Sequence, residues 1–246
     1  MWPFYYWLTK THVEASSFFS IYLSGFLVKT ALYLFIHFFV FFFTIWYINF
    51  LLIIVLIGII DSSLKFWHQT DLKKLIAYTT VQEMNLLFIP IFWNTELTEF
   101  FTAFFIITHC LLSSLFFFII DILIKRFGTR VNTQITGLIH IMPLYSICIF
   151  ISIILFSGLP FTAKFFIEIV IFNILFHFNS EIFIFLILIV NWIGIIGFSK
   201  NFFNILFGGI NLQKIKYFDL TKRELFIFIF IFINLFIINF FTLIYF

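Results

Sequence analysis

Residues 137–178 read GLIHIMPLYSICIFISIILFSGLPFTAKFFIEIVIFNILFHF. This run is apolar for about 40 residues, roughly twice the length a helix needs to cross a bilayer. Near its middle stands Ser157-Gly158-Leu159-Pro160. Proline lacks a backbone donor and clashes with the preceding turn, so a regular helix cannot pass through unchanged. The segment therefore reads as one membrane crossing, broken over Ser157–Thr162. In lipid such a break is tolerated only where neighbours or water satisfy the freed backbone groups.

The rest of the chain has the same character. It is 63% hydrophobic and 10% charged, whereas a soluble domain carries about 25% charged residues. Six further apolar stretches reach spanning length, at about 17–34, 44–64, 72–92, 99–124, 182–206 and from Glu224 towards the C-terminus. The boundary between the first two is blurred, because residues 36–43 are themselves apolar. The pattern predicts an all-α polytopic membrane protein with about seven crossings, one of them broken, as a single transmembrane domain over residues 1–246. Alternating segments of about 10 residues, the mark of a membrane barrel, are not seen. The 45 Phe residues reflect AT-rich codons and suggest a mitochondrial type of genome. No cleavable signal or Arg-rich transit peptide is visible at the N-terminus, which fits insertion from inside an organelle or a bacterium.

With this count, eleven of the fourteen Lys and Arg fall on one side: Lys10, Lys65, Lys73, Lys74, Lys125, Arg126, Arg130, Lys214, Lys216, Lys222 and Arg223. The opposite loops carry Glu96, Glu99 and Glu181. Basic loops favour the cytoplasmic or matrix side, which puts the C-terminus on the opposite face. The basic tracts are read as solvated loops that set orientation, with no nucleic-acid role. Cys110 and Cys148 lie in apolar runs without metal-ligand spacing. No dinucleotide fingerprint or P-loop is present, so any redox chemistry this chain serves is expected on other subunits.

Three basic residues, Lys29, Lys164 and Lys200, lie within the crossings. Lys29 is about 12 residues into its helix, about 18 Å at 1.5 Å per residue, too deep for easy snorkelling. A cation there costs roughly 2.5–3.5 kcal/mol to insert and so points to a functional role. Glu168 follows Pro160 by eight residues. Burial raises a carboxyl's pKa and a nearby cation lowers it, and a relay needs both protonation states. Lys164, four residues earlier, shares its helical face, so the two form either a relay element or a structural pair. His109 is mid-helix, and histidine gains or loses a proton near neutral pH, although an isolated histidine in an apolar helix is also a common core residue. Glu83, about 11 residues into the third crossing, is either a relay carboxylate or a partner for a neighbouring helix. His37, His140 and His177 sit near helix ends or apolar turns and read as structural.

The opening Trp7-Leu8-Thr9-Lys10-Thr11-His12-Val13-Glu14-Ala15 resembles the W-L-P-K-A-H-V-E-A signature of subunit 4 of respiratory NADH:ubiquinone oxidoreductase (complex I). Lys29 falls 17 residues after His12, as the lysine of the next helix does in that family. Thr70–Tyr78 is similar to T-D-L-K-x-L-I-A-Y, and His109 with Ser113-Ser114 to H-G-x-x-S-S. Gly158-Leu159-Pro160 followed by Glu168 resembles the broken helix with its glutamate. Asp219–Glu224 resembles D-L-N-x-R-E. The H-V-E-A element separates this subunit from its paralogues, subunits 2 and 5. Thr9 and Ser16 stand where the family has Pro, and Glu83 where it has His.

The resemblance implies the second half of an antiporter-like helix bundle. It implies proton translocation through residues equivalent to Lys29, His109 and Glu168, with Lys164 and Glu83 as possible relay or pairing residues. It also implies a mitochondrial inner-membrane protein with basic loops in the matrix and its C-terminus in the intermembrane space. NADH, FMN, iron–sulfur clusters and ubiquinone would belong to other subunits, with no cofactor on this chain. The expected partners are the lipid bilayer, other complex I membrane-arm subunits, and a separate chain carrying the N-terminal half of a split subunit. A subunit of a multi-subunit cation/proton antiporter, or a structural remnant without pumping, are the alternatives.

Overall fold

A computed structural model describes residues 2–42, 45–93, 96–160, 162–177, 181–209 and 218–245. They form α1 (Tyr6–Glu14), α2 (Ser17–Tyr22), a π-helical turn (Leu23–Leu27), α3 (Val28–Phe42), α4 (Ile45–Phe66), α5 (Leu72–Trp93), α6 (Glu96–Phe127), α7 (Leu138–Ile141), α8 (Pro143–Phe156), α9 (Ala163–His177), α10 (Glu181–Phe207) and α11 (Lys222–Tyr245). Among the described residues the only β pairing is an isolated bridge between Asp71 and Val131. Five segments of these residues are long and apolar enough to span a bilayer: Ser17–Phe35, Leu72–Phe92, Glu99–Phe127, Phe183–Phe207 and Lys222–Thr242. With α4 and the broken α7–α8–α9 crossing, they correspond in order to the seven expected crossings.

The bundle is built around α5, which is almost completely buried even though it carries Thr79, Thr80, Gln82, Glu83 and Asn85 among its buried residues. At the opposite extreme is α11, which leaves Phe226, Phe230, Phe236 and Phe240 exposed, as a lipid-facing helix must. Between them, a Phe116–Phe156–Phe198–Phe202 cluster fills the interior, with the Phe156 and Phe198 rings 4.3 Å apart.

The helix ends explain several charged motif residues. Asp71 Oδ1 accepts from the Lys73 and Lys74 amides at the start of α5, while its Oδ2 pairs with Arg130 Nε at 2.8 Å. Arg130 Nη1 also donates to the Val13 carbonyl, and Lys73 Nζ to that of Ala15. These two cations therefore close the C-terminal end of α1. At α11, Thr221 and Glu224 form a reciprocal capping box, and Glu224 pairs with Arg126 at 2.5 Å. Asp219 caps α8 by accepting from the Leu144 and Tyr145 amides.

The long apolar run is interrupted as its sequence predicts. Helix α8 stops at Phe156 and α9 begins at Ala163, with Gly158 at φ +69° between them. A left-handed backbone there favours glycine. Neighbours satisfy the freed groups: Asn239 Oδ1 on α11 accepts from the Ala163 amide at 2.7 Å, and the Thr162 amide and hydroxyl both turn back to the Leu159 carbonyl. Phe161 lies outside the described residues. The same crossing has a second discontinuity, at Met142, with Pro143 opening α8. Proline is at home in that first helical position. A third irregularity, the π turn at Leu23–Leu27, carries no proline.

Candidate functional site

The interior polar residues converge from α3, α5, α6, α9 and α10. Lys164, on the first turn of α9, is 3% exposed, and its Nζ lies 2.6 Å from Glu83 Oε1 on α5, itself 4% exposed. The same Nζ is 3.9 Å from Glu168 Oε1, one turn along α9. It also sits 4.0 Å from the centre of the Phe156 ring, a favourable cation–π position. The sequence offers Glu168, one turn away, as the partner of Lys164, either in a relay or in a structural pair. The closer partner is Glu83, which no local spacing could have indicated, since it lies on another helix.

Glu168 is held on both sides of its carboxylate. Asn191 Nδ2, on α10, donates to Oε1 at 2.9 Å. Oε2 lies against Gly158, where a Cβ would stand 3.3 Å from it. Gln82 Nε2 donates in turn to Asn191 Oδ1 at 3.3 Å. Neither amide was singled out in the sequence. An amide inside an apolar helix gives no local signal, and only the tertiary fold joins the pair to Glu168.

His109 on α6 is buried, and its Nδ1 has no hydrogen-bond partner among the described residues. Together with Glu83, Lys164, Thr79, Thr108 and Ser113 it lines a cavity of about 10 Å³, room for about one water. Lys29 is buried as well and close enough to interact electrostatically with Glu83 and His109. Its ammonium bonds to the Ser24 carbonyl. That carbonyl is available because the π turn directs the Val28 amide to Leu23, five residues back.

Lys29, His109, Glu83 and Lys164 are thus all buried, and Glu168 beside them is partly buried. His12, quoted only within the opening motif, is fully buried too. It stacks on Phe117 at 4.7 Å, and both its ring nitrogens lack a partner among the described residues. Lys200 instead lies on the surface over the Trp67 ring, His140 is exposed, and the side chains of His37 and His177 fall outside the described residues. Cys110 and Cys148 are free thiols, partly buried. No group of His, Cys, Asp and Glu among the described residues could hold a metal ion.

Residues 1–194 match the family model described as NADH:quinone oxidoreductase/Mrp antiporter, TM. The chain belongs to this family. Within the family it is 40% identical over 241 residues to NADH-ubiquinone oxidoreductase chain 4 of Paramecium tetraurelia, a match covering 98% of this chain and 51% of the relative. The corresponding chain 4 of Acanthamoeba castellanii is 31% identical, over 96% of this chain and 48% of the relative. The chain therefore spans about half the length of the curated relatives it matches. Among solved structures, the archaeal membrane-bound sulfane sulfur reductase superposes with a TM-score of 0.89 at 18% identity, covering 100% of this chain and 50% of that one. Respiratory complex I from Thermus thermophilus gives 0.70 at 17% identity over 78% of this chain and 40% of that one. The Mrp complex from Dietzia gives 0.76 at 16%, over 87% and 40%. The fold is accordingly the antiporter-like helix bundle of this family.

Proposed function

We propose that this chain is part of a proton-translocating membrane-arm subunit of respiratory complex I, carrying protons through Lys29, His109, Glu83, Lys164 and Glu168. The observation that carries this reading is a single buried cation, Lys164, shared between two carboxylates at 2.6 and 3.9 Å. When both glutamates are ionised, Lys29 and Lys164 balance Glu83 and Glu168, which lowers the cost of keeping the charges away from water. A proton arriving on Glu83 cancels the charge that holds Lys164. The ammonium is then free to move towards Glu168, and a proton already on Glu168 is driven off. His109, across the small cavity from Glu83, can deliver the incoming proton directly or through one water, and Lys29 sets the potential at His109. NADH oxidation and quinone reduction would take place on other subunits, with this chain contributing the membrane half of the coupling.

Under this reading the chain resides in the mitochondrial inner membrane, with its basic loops in the matrix and the C-terminal end of α11 facing the intermembrane space. Other membrane-arm subunits are its neighbours. The other half of the relatives' fold would pack on the face of α1, α2 and α3. There Phe4, Trp7, Phe18, Tyr22 and Phe26 are exposed, and an apolar groove of about 320 Å³ opens between α1, α3 and α5. The names of the curated relatives favour complex I over a stand-alone antiporter. NADH-driven rather than sodium-driven transport separates the two.

The decisive variant is Glu168→Gln, which keeps the side chain's shape and removes its titration. In vesicles bearing the assembled complex, NADH-driven proton uptake should fall while assembly is retained. Uptake at the wild-type rate would overturn the relay.

A further inference from the structure

The interior ion pair and the two amides form a closed ring. Lys164 pairs with Glu83. The next residue back along α5, Gln82, donates to Asn191, Asn191 donates to Glu168 Oε1, and that same oxygen faces Lys164. Asn191 and Lys164 are thus rival donors to one carboxylate oxygen, at 2.9 and 3.9 Å. The orientation of the Asn191 amide is determined by its partners. With Gln82 Nε2 directed at Oδ1, the Nδ2 must face Glu168, because the flipped amide would set two donors together on one side and two oxygens on the other. Gln82 can reach this position because Gly194, one turn beyond Asn191 on α10, has no side chain. A Cβ there would stand 2.8 Å from Gln82 Nε2. Asn191 is buried, so no exposed surface accounts for this arrangement.

We propose that Asn191 is a positioning residue that latches the Glu168 carboxylate and so keeps Lys164 on Glu83 until the latch is broken. The inference rests on the relay reading above. Gln82 and Glu83 are consecutive on α5, so a shift of that helical turn loosens both ends of the ring together. Loss of the Lys164–Glu83 pair and release of Glu168 by Asn191 then become one event. Without the latch, Lys164 closes on Glu168 in the resting state and the transfer step loses its starting position.

The test uses the assembled complex in vesicles and compares wild type, Asn191→Leu, Glu168→Gln and the double variant. Asn191→Leu should lower NADH-driven proton uptake about three- to tenfold, the range that one hydrogen bond supplies. The same change made in Glu168→Gln should have no further effect, because the partner of the latch is already altered. Infrared difference spectroscopy gives the second readout: the carboxyl band lost in Glu168→Gln should move to higher wavenumber in Asn191→Leu. Gln82→Leu, which touches neither Glu168 nor Lys164, should move the same band in the same direction, and it serves if Asn191→Leu fails to assemble. Equal losses from Asn191→Leu in both backgrounds, or an unmoved band in the assembled variants, would overturn the latch while leaving the relay standing. Wild-type uptake in Glu168→Gln would overturn both.

Discussion

The Lys29 ammonium donates to the Ser24 carbonyl, five residues back along the same crossing, at the point where the π turn has taken away that carbonyl's usual amide donor. A π turn in a membrane helix leaves one carbonyl short of a partner, and an unpaired polar group in lipid is costly. Here a side chain fills the gap, and in doing so holds the cation deep in the protein.

Lys29→Met should therefore have two effects. Proton uptake falls because the charge facing His109 and Glu83 is gone. The complex also loses stability, by about 1–3 kcal/mol for the unpaired buried carbonyl, which should appear as earlier thermal dissociation in detergent. Normal thermal behaviour in an assembled Lys29→Met complex would mean that the Ser24 carbonyl finds another donor.

Gly158 and Gly128 allow backbone strain to be separated from site geometry. Both have φ of +69°, but a Cβ at Gly128 meets nothing within 4 Å, whereas one at Gly158 stands 3.3 Å from Glu168 Oε2. Each alanine substitution costs about 1–2 kcal/mol of left-handed strain. Gly158→Ala should in addition reduce proton uptake, and Gly128→Ala should not. Similar transport losses in the two variants would show that Glu168 tolerates displacement.

Asn239 tests how the break is maintained. Its side-chain oxygen accepts from the Ala163 amide at the start of α9. Asn239→Leu leaves that buried donor unpaired at a cost of about 1–3 kcal/mol and frees α9, with Lys164 on its first turn, to shift. The expected result is faster limited proteolysis between α8 and α9 in the solubilised complex. An unchanged cleavage rate would argue that the Thr162–Leu159 turn alone sustains the break.

Much of this architecture was legible in the sequence because lipid imposes a simple rule. Apolar runs of spanning length must be helices, and a Gly158–Pro160 pair inside a run of double length must break it. Lys29, Glu83, His109, Lys164 and Glu168 stood out for the converse reason, that ionisable groups in apolar helices are conspicuous. The pairing was not legible. Glu168 lies one turn from Lys164 on the same helix, and local spacing favours that contact, yet Lys164 bonds more closely to Glu83, 81 residues earlier. The amides of Gln82 and Asn191 were hidden for a similar reason, as their significance depends on how α5, α9 and α10 meet. The π turn left no local trace either, because neither proline nor a charge marks Leu23–Leu27.

The Lys164–Glu83 pair yields the most direct test of the interior charges. Both side chains are nearly inaccessible to solvent. Removing one partner of such a pair costs about 3–5 kcal/mol, because the other is left charged and alone, while removing both can be nearly neutral. Lys164→Met and Glu83→Gln should therefore each lower the yield of assembled complex, and the double variant should recover much of it. Proton uptake should not recover with assembly, since the double variant has neither the mobile cation nor the carboxylate that holds it. Native gels report the first quantity and vesicle acidification the second. If the double variant assembles no better than the worse single one, the two residues do not act as a pair. If it assembles and pumps at the wild-type rate, the pair is structural and the proton path runs elsewhere.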